Sequence, residues 1–178
     1  MLEELPAYKL RPAPDDLPGR WMTGTQSHEA IAGTLAAVDY LADLGRSVSP
    51  NSPDRRAALG AAFDGITRYE NELVSELIAG LAELPGIKIW GIVEPSRIAE
   101  RVPTVAITHE RVRPRELASR LAQLGIFVWH GNFYALPLSD ALQLEPDGLL
   151  RIGLLHYNTE DEARRLLDSL AGIIRDAP

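Results

Sequence analysis

The chain has 178 residues, of which 46% are hydrophobic and 24% are charged, so a folded globular domain is expected and a disordered chain is not. Its net charge is −7, from 18 basic and 25 acidic residues, and the basic residues are scattered, which argues against a nucleic-acid-binding face. The absence of cysteine excludes disulfides, thiolate metal ligands and a cysteine nucleophile within these residues.

Residues 1–20 are predicted to form an extended leader. Proline fixes φ and removes a backbone donor, which disfavours a helix here, and the segment has four of them: Pro6, Pro12, Pro14 and Pro18. The segment has no signal-peptide pattern, and the apolar stretches of the chain are too short for a membrane span. We therefore predict a cytoplasmic protein that does not contact a membrane.

Two helices are predicted to follow the leader. The first begins after Ser27, a suitable N-cap, and ends at Gly45. Its apolar residues recur at helical spacing: Ile31, Leu35, Val38 and Leu41. The second helix is predicted over about 53–84, and its apolar stripe comprises Leu59, Phe63, Ile66, Leu73, Leu77 and Leu81.

The rest of the chain alternates between strand and helix patterns. Strands are predicted at 88–93, 103–109, 126–130 and 149–157. Helices are predicted at 113–125 and 158–177, the latter capped by Asn158 or Thr159. The predicted fold class is α/β (α+β), a small mixed or antiparallel sheet with helices packed on one face, preceded by two helices. The predicted divisions are a leader at 1–20, a two-helix segment at 21–84 and a small α/β domain at 85–178.

The segment 23–29 is the first candidate site, because it precedes a helix and contains Gly24 and Thr25. A glycine lets the backbone approach a ligand closely, and hydroxyl and free N–H groups at a helix N-terminus suit a phosphate. The alternative is an ordinary N-cap with a tight turn, for which serine and threonine are preferred in any case.

The segment 128–137 is the second candidate site, since it places His130, Asn132 and Tyr134 on a loop after a strand. Aromatic and polar side chains at such a position often line a pocket. The alternative is a hairpin loop with one buried aromatic residue.

Arg151 is the third candidate, an arginine within an apolar strand. It is suited to bind a carboxylate through two hydrogen bonds, or else it is solvated or paired with a surface acid. His156 and Tyr157 are interpreted as structural. The sequence has no glycine-rich phosphate loop and no metal-ligand spacing, so neither a catalytic residue nor a metal site is predicted.

Three stretches resemble the C-terminal part of class V aminotransferases in order and spacing. They are PGRWMTGTQSHEAIAGTLAAVDYLADLG, IFVWHGNFYALPL and GLLRIGLLHYNTEDEARRLLDSL. Class V aminotransferases are fold-type I enzymes that use pyridoxal 5'-phosphate. Within the family, the chain looks most like the cysteine-desulfurase-like or selenocysteine-lyase-like group.

The resemblance implies roles for the candidate residues. Gly24 and Thr25 match the pair that reaches the cofactor phosphate of the neighbouring subunit. Arg151 matches the arginine that binds the substrate carboxylate, and His130, Asn132 and Tyr134 lie in the stretch that matches the flexible active-site loop. The implied substrate of the complete enzyme is an amino-acid-like small molecule.

The chain also departs from the family pattern. Tyr134 stands at the loop position where cysteine desulfurases have their cysteine, so no thiol of this chain forms a persulfide. Trp129 replaces an arginine that is frequent in the group. The family's Schiff-base lysine lies in the large domain, and the context of Lys9 and Lys88 does not match it.

We therefore expect the C-terminal portion of such an enzyme, inactive alone, with pyridoxal phosphate bound only when a large domain is present. The expected partners are a second copy or a protein that carries the large domain, and nucleic acid is not among them. Two alternatives stay open: a stand-alone dimerising interaction or regulatory module derived from that small domain, and an unrelated small-molecule-binding α/β domain.

Overall fold

The computed structural model describes residues 2–22 and 24–177 of the chain. It comprises two compact units, which divide between Ala62 and Phe63. The division falls inside the second long helix. The predicted division at residues 20 and 84 concerns the family's domain organisation and stays a prediction.

The first unit is built around helix α1, His28–Val48, and the start of helix α2, Arg55–Ala82. A single 3-10 turn, Gly19–Trp21, precedes α1. The predicted N-cap of α1 is confirmed, because the Ser27 Oγ accepts a hydrogen bond of 3.3 Å from the Ala30 amide. This bond satisfies one of the free N–H groups at the helix start.

The predicted end of α1 at Gly45 is wrong, since the helix continues to Val48. Gly45 is buried, and a Cβ atom at this position would lie 1.7 Å from the Ala58 carbonyl oxygen. The glycine is therefore needed where α1 and the start of α2 pack closely, and it does not terminate the helix.

The apolar residues predicted for the inner face of α1 are only partly covered. Ile31 and Leu35 are exposed, whereas the buried residues of α1 are Ala42 and Gly45. The contact of α1 with the start of α2 is therefore made by small residues. The predicted helical pattern of large apolar side chains did not include them.

The second unit contains a four-stranded antiparallel sheet in the order β1-β2-β4-β3. The strands are β1, Ile87–Trp90; β2, Thr104–His109; β3, Trp129–Gly131; and β4, Leu149–Gly153. The helices are α3, Pro114–Gln123; the six-residue α4, Leu136–Ala141; and α5, Glu160–Arg175; a 3-10 segment, Pro95–Glu100, joins β1 to β2.

One face of the sheet is covered by helices. Alternate residues of the two central strands are buried: Val105, Ile107, Leu150 and Ile152. They join a core with residues of the second half of α2, α3 and α5, of which the largest fully buried are Leu73, Leu77, Leu81, Leu117, Leu121 and Leu170. This arrangement confirms the predicted fold class, and the sheet is antiparallel throughout.

The predicted stripe of α2 is correct only in its second half. Leu73, Leu77 and Leu81 are buried, but Phe63 is exposed and Ala58 and Ala62 are buried instead. The helix ends at Ala82, before the predicted 84, and the Gly86 φ of 75° forms the turn into β1.

Helix α5 begins with a capping box. The Thr159 Oγ1 accepts from the Glu162 amide at 3.2 Å, while the Glu162 carboxylate accepts from the Thr159 amide at 2.9 Å. Of the two predicted caps, Thr159 is therefore the N-cap, and the Asn158 side chain instead accepts from the Leu155 amide at 2.9 Å.

Candidate functional site

Arg151 lies at the centre of β4, on the sheet face opposite the core. Its register partners are Ala106 on β2 and Trp129 on β3, and Trp90 on β1 is paired with Ala106. Side chains paired across antiparallel strands project from the same face, so these residues form a row across the open face of the sheet. We call it the open-face row: Trp90, Ala106, Arg151 and Trp129.

The guanidinium of Arg151 is exposed and available. Within residues 2–22 and 24–177, the structure gives it neither a hydrogen bond nor an ion pair. Its one recorded contact is with the Phe133 ring, whose centroid lies 4.4 Å from Cζ. A cation–π contact of this kind leaves the guanidinium with N–H donors that can bind a carboxylate.

The loop after β3 has an unusual backbone that positions Phe133. Phe133 and Tyr134 have φ values of 55° and 61°, in the left-handed region that disfavours such side chains. Asn132 supports the turn, because its Oδ1 accepts from the Tyr134 amide at 3.2 Å and its carbonyl accepts from the Ala135 amide at 2.8 Å. Consecutive strained residues persist where the surroundings over-determine them, which is common in ligand-binding loops.

Tyr134 and His130 differ in their relation to Arg151. Tyr134 is fully exposed, at 104%, at the tip of the loop. His130 is half-buried and pairs with the buried Leu150, so it projects from the core face of the sheet. The structure thus brings Asn132 and Tyr134 into one loop beside Arg151 but places His130 on the opposite face.

Gly24 and Thr25 lie in the first unit, just before α1. Both are exposed, nothing lies within 4 Å of a Cβ built on Gly24, and the Gln26 Nε2 donates to the Gly24 carbonyl at 2.9 Å. An open backbone, a hydroxyl and a 21-residue helix that begins at His28 fit a phosphate. Thr23 of the same predicted segment lies outside the described residues.

The two lysines of the sequence do not fit the role of a Schiff-base lysine. The Lys9 Nζ donates to the Ala13 carbonyl at 2.9 Å and pairs with the Asp15 carboxylate at 2.8 Å. The Lys88 Nζ lies 3.7 Å from the centroid of the Trp90 ring. Residues of this chain therefore fit the phosphate and a substrate carboxylate, but not the covalent attachment of the cofactor.

Phe133 is the site residue that the sequence analysis missed. Its contact with Arg151 depends on the pairing of β3 with β4 and on two left-handed residues, neither of which follows from hydrophobic periodicity. The available signal was Asn132 after Gly131, since asparagine and glycine favour turns with positive φ.

Metal binding and membrane insertion also bear on function. Among the described residues, no group of three or more His, Cys, Asp or Glu side chains is placed to hold a metal ion. In the part of the chain outside residues 1, 23 and 178, no helix combines the length and apolar character needed to cross a membrane. The cytoplasmic location stays a prediction.

Comparison with known families gives one match over most of the chain. The family model described as aminotransferase class-V matches residues 12–166. The alternative of an unrelated small-molecule-binding α/β domain is contradicted by this match.

The curated relatives agree with that result. An aminotransferase-like protein of Gibberella zeae is 32% identical over 144 residues, which are 79% of this chain and 35% of that protein. A probable cysteine desulfurase of Pseudomonas putida is 28% identical over 169 residues, which are 95% of this chain and 35% of that protein. The chain thus spans about a third of the length of the curated relatives it matches.

Solved structures show the same fold. The apo structure of a cysteine desulfurase from Thermococcus onnurineus superimposes with a TM-score of 0.69 at 24% identity, over 89% of this chain and 34% of that one. The predicted resemblance to the C-terminal part of class V aminotransferases is confirmed by these matches.

Proposed function

The chain belongs to the class V aminotransferase family, and on this premise we propose that it completes a pyridoxal-phosphate active site without supplying its Schiff-base lysine. The protein would be the C-terminal portion of a cysteine-desulfurase-like enzyme and inactive by itself. The observation that carries the proposal is the exposed Arg151 side chain, whose guanidinium lies 4.4 Å from the Phe133 ring centroid and bonds to none of the described side chains.

Each candidate residue has a defined task in such a site. Arg151 would bind and orient the substrate carboxylate through two parallel hydrogen bonds. In a dimer, Gly24 and Thr25 would bind the cofactor phosphate of the neighbouring subunit, the former with an unobstructed backbone and the latter with its hydroxyl. Pyridoxal phosphate, when bound, would supply an electron sink for a substrate that carries an amino group.

The loop residues would shape the site beside the carboxylate. Tyr134 lies at the exposed tip of the loop, in the position that the family resemblance assigns to the cysteine of cysteine desulfurases, and this chain contains no thiol. Transfer of sulfur to this loop is therefore not part of the proposed function. Asn132 would hold the loop in its left-handed form, and His130 would support β3 from the core face.

An acetate titration of the 178-residue chain tests the role of Arg151. Proton–nitrogen NMR spectra that resolve arginine Nε–Hε signals should show a saturable shift for Arg151. Arg97 provides an internal control, because its Nε and Nη2 already bond to the Glu100 carboxylate at 3.1 and 2.8 Å. We expect Arg151→Gln to abolish the response and Arg151→Lys to weaken it several-fold, because lysine cannot form the two-bond pair.

The proposal fails if acetate shifts the Arg97 and Arg151 signals equally, or if Arg151→Gln leaves binding unchanged. Chloride at the same ionic strength serves as the reference. Unchanged backbone spectra of both variants show that the fold is intact.

A second candidate function, a stand-alone dimerising module, is favoured by the exposed apolar side of α1. Ile31 and Leu35 are each 53% exposed, on a surface that Val38 and Ala30 continue. Self-association through this face would have two-fold symmetry. Light scattering should then show a dimer for the native chain and a monomer for Ile31→Asp, whereas a strict monomer at all concentrations would exclude this function.

A further inference from the structure

We propose that the carboxylate ligand held by Arg151 carries an aromatic side chain. This inference deepens the proposed function and rests on it, because it assigns the class of substrate to the same site. It follows from three features of the open sheet face: an aromatic neighbour across the strand, a guanidinium held against a ring, and a small residue on the other side.

Trp129 is the aromatic neighbour. It is directly opposite Arg151 in the antiparallel pair and is 68% exposed. Side chains of such a pair have Cβ atoms about 4.5–5.5 Å apart, so the indole stands beside any group bound to the guanidinium. An indole of this exposure offers a large apolar surface that stacks well with another ring.

Phe133 fixes the orientation of the guanidinium. The ring centroid lies 4.4 Å from Cζ, so the guanidinium is held against the ring by a cation–π contact while its N–H donors can still bind the ligand. The left-handed backbone at Phe133 and Tyr134 places this ring, and Asn132 stabilises that backbone. The carboxylate position and the aromatic surface are therefore set before a ligand arrives.

Ala106 leaves room on the other side of Arg151. It separates Arg151 from Trp90 across two strand spacings, roughly 10 Å in all, and contributes a single methyl group. Lys88 lies two residues before Trp90 on the same face of β1, and its Nζ lies 3.7 Å from the centroid of the Trp90 ring, so a bound ring would lie beside Trp129 instead. The open face thus combines the Arg151 guanidinium with the exposed indole of Trp129, which matches a ligand that has one carboxylate and one aromatic ring.

Ligand pairs that share a carboxylate and differ in the remainder test this inference. In the same NMR titration, acetate measures the binding of a carboxylate alone. Phenylacetate measures the effect of an added ring, and succinate measures the effect of a second negative charge. We expect phenylacetate to bind about 2- to 10-fold more tightly than acetate, in line with the strength of aromatic pairs, and succinate to bind no better than acetate.

Trp129→Leu is the decisive variant, because it keeps an apolar side chain and removes the ring. It should reduce the ratio of phenylacetate to acetate affinity to about one, with the Arg151 signal still responding to acetate. Trp21→Leu is the matched control, since it also removes an indole that lies near an arginine, 5.8 Å from the Arg20 Cζ in the first unit. That variant should keep the native ratio.

The possible outcomes separate the two proposals. Equal affinities of the native chain for phenylacetate and acetate, both lost in Arg151→Gln, would overturn the aromatic assignment and leave the carboxylate role standing. Preference for succinate, or an unchanged ratio in Trp129→Leu, would also overturn it. Failure of every carboxylate to respond at Arg151 would overturn the proposed function itself.

Discussion

Asn132 shows how a single polar side chain can organise the proposed site. The loop after β3 has two consecutive non-glycine residues in the left-handed region, an arrangement that costs free energy unless it is supported. The Asn132 Oδ1 provides that support by accepting from the Tyr134 amide at 3.2 Å. Through Phe133, the effect of this bond reaches the guanidinium of Arg151.

Asn132→Ala should therefore release the loop and the Phe133 ring. We expect faster hydrogen exchange of the Tyr134 amide and loss of the ring-current shift on the Arg151 side chain. The free energy of unfolding should fall by only about 1 kcal/mol, because the bond is exposed and single. Asn132→Asp keeps the acceptor and should restore both signals, whereas an unchanged exchange rate in Asn132→Ala would contradict this role.

The residues of the candidate site differ in how far the sequence could predict them. Arg151 is an arginine among apolar neighbours, so the pattern identified it directly. Phe133 and Ala106 are apolar residues without a distinctive sequence pattern. They belong to the site because strand pairing brings them next to Arg151, which is distant in the chain. Periodicity assigns a side chain to a face but does not determine the partner across a sheet.

At the scale of the helix, small residues decide how α1 and the start of α2 pack. A Cβ at Gly45 would lie 1.7 Å from the Ala58 carbonyl oxygen, and at Gly33 of the same helix nothing lies within 4 Å. The sequence predicted that α1 ends at Gly45, because glycine is frequent just after the last residue of a helix. The structure shows a different reason for this glycine, which is the close approach of α1 and α2. Gly45 and Gly33 therefore form a matched pair for substitution, one at a close contact and one in open space.

Gly45→Ala should destabilise the packing of α1, whereas Gly33→Ala should not. We expect the first to reduce the free energy of unfolding by about 1–3 kcal/mol through steric overlap. The second should raise it by up to about 1 kcal/mol, because alanine favours an exposed helix interior over glycine. Chemical denaturation followed by circular dichroism measures both, and equal effects of the two substitutions would contradict the close approach.

The capping box of α5 makes the stability of that helix depend on pH. The Thr159 amide and then the Asn158 side chain bond to the Glu162 carboxylate and lower its pKa. Because the folded state favours the charged carboxylate, Glu162 stabilises the protein at pH values above the ordinary glutamate pKa of about 4.3. This stabilisation is lost as the pH falls through the lowered pKa of the folded state.

The melting temperature of Glu162→Ala should lie below that of the native chain by a constant amount above about pH 5, and the gap should close below about pH 4. Glu160→Ala is the control, since it removes an acid from the same first turn without removing the capping bonds. If the difference in melting temperature between Glu162→Ala and the native chain is unchanged at pH 3, the charged carboxylate is not the cause of that difference.

For the whole molecule, the sequence predicted the strand and helix order of the second unit well because each element has its own strong local pattern. Its β2 alternates buried and partly exposed residues, and α5 has both a capping box and a buried stripe. The first unit was predicted less accurately, because Ile31 and Leu35 follow a core pattern and yet are exposed. Local periodicity cannot show which apolar face is covered within a given unit.

The exposed apolar faces of both units have a common explanation if the chain is part of a larger enzyme, as proposed. The chain spans about a third of the curated relatives it matches, and its open sheet face and α1 face both carry exposed apolar residues. Exposed apolar faces of this kind are typical of surfaces that another protein covers, and in the proposed function that protein is the lysine-bearing domain or a second copy.

Trapping of pyridoxal phosphate with borohydride shows whether this chain supplies a Schiff-base lysine, because reduction converts a Schiff base into a stable adduct that mass spectrometry can locate. We expect weak, sub-stoichiometric labelling divided between Lys9, Lys88 and the terminal amine. One equivalent of adduct on a single lysine, lost when that lysine alone is changed to arginine, would contradict it.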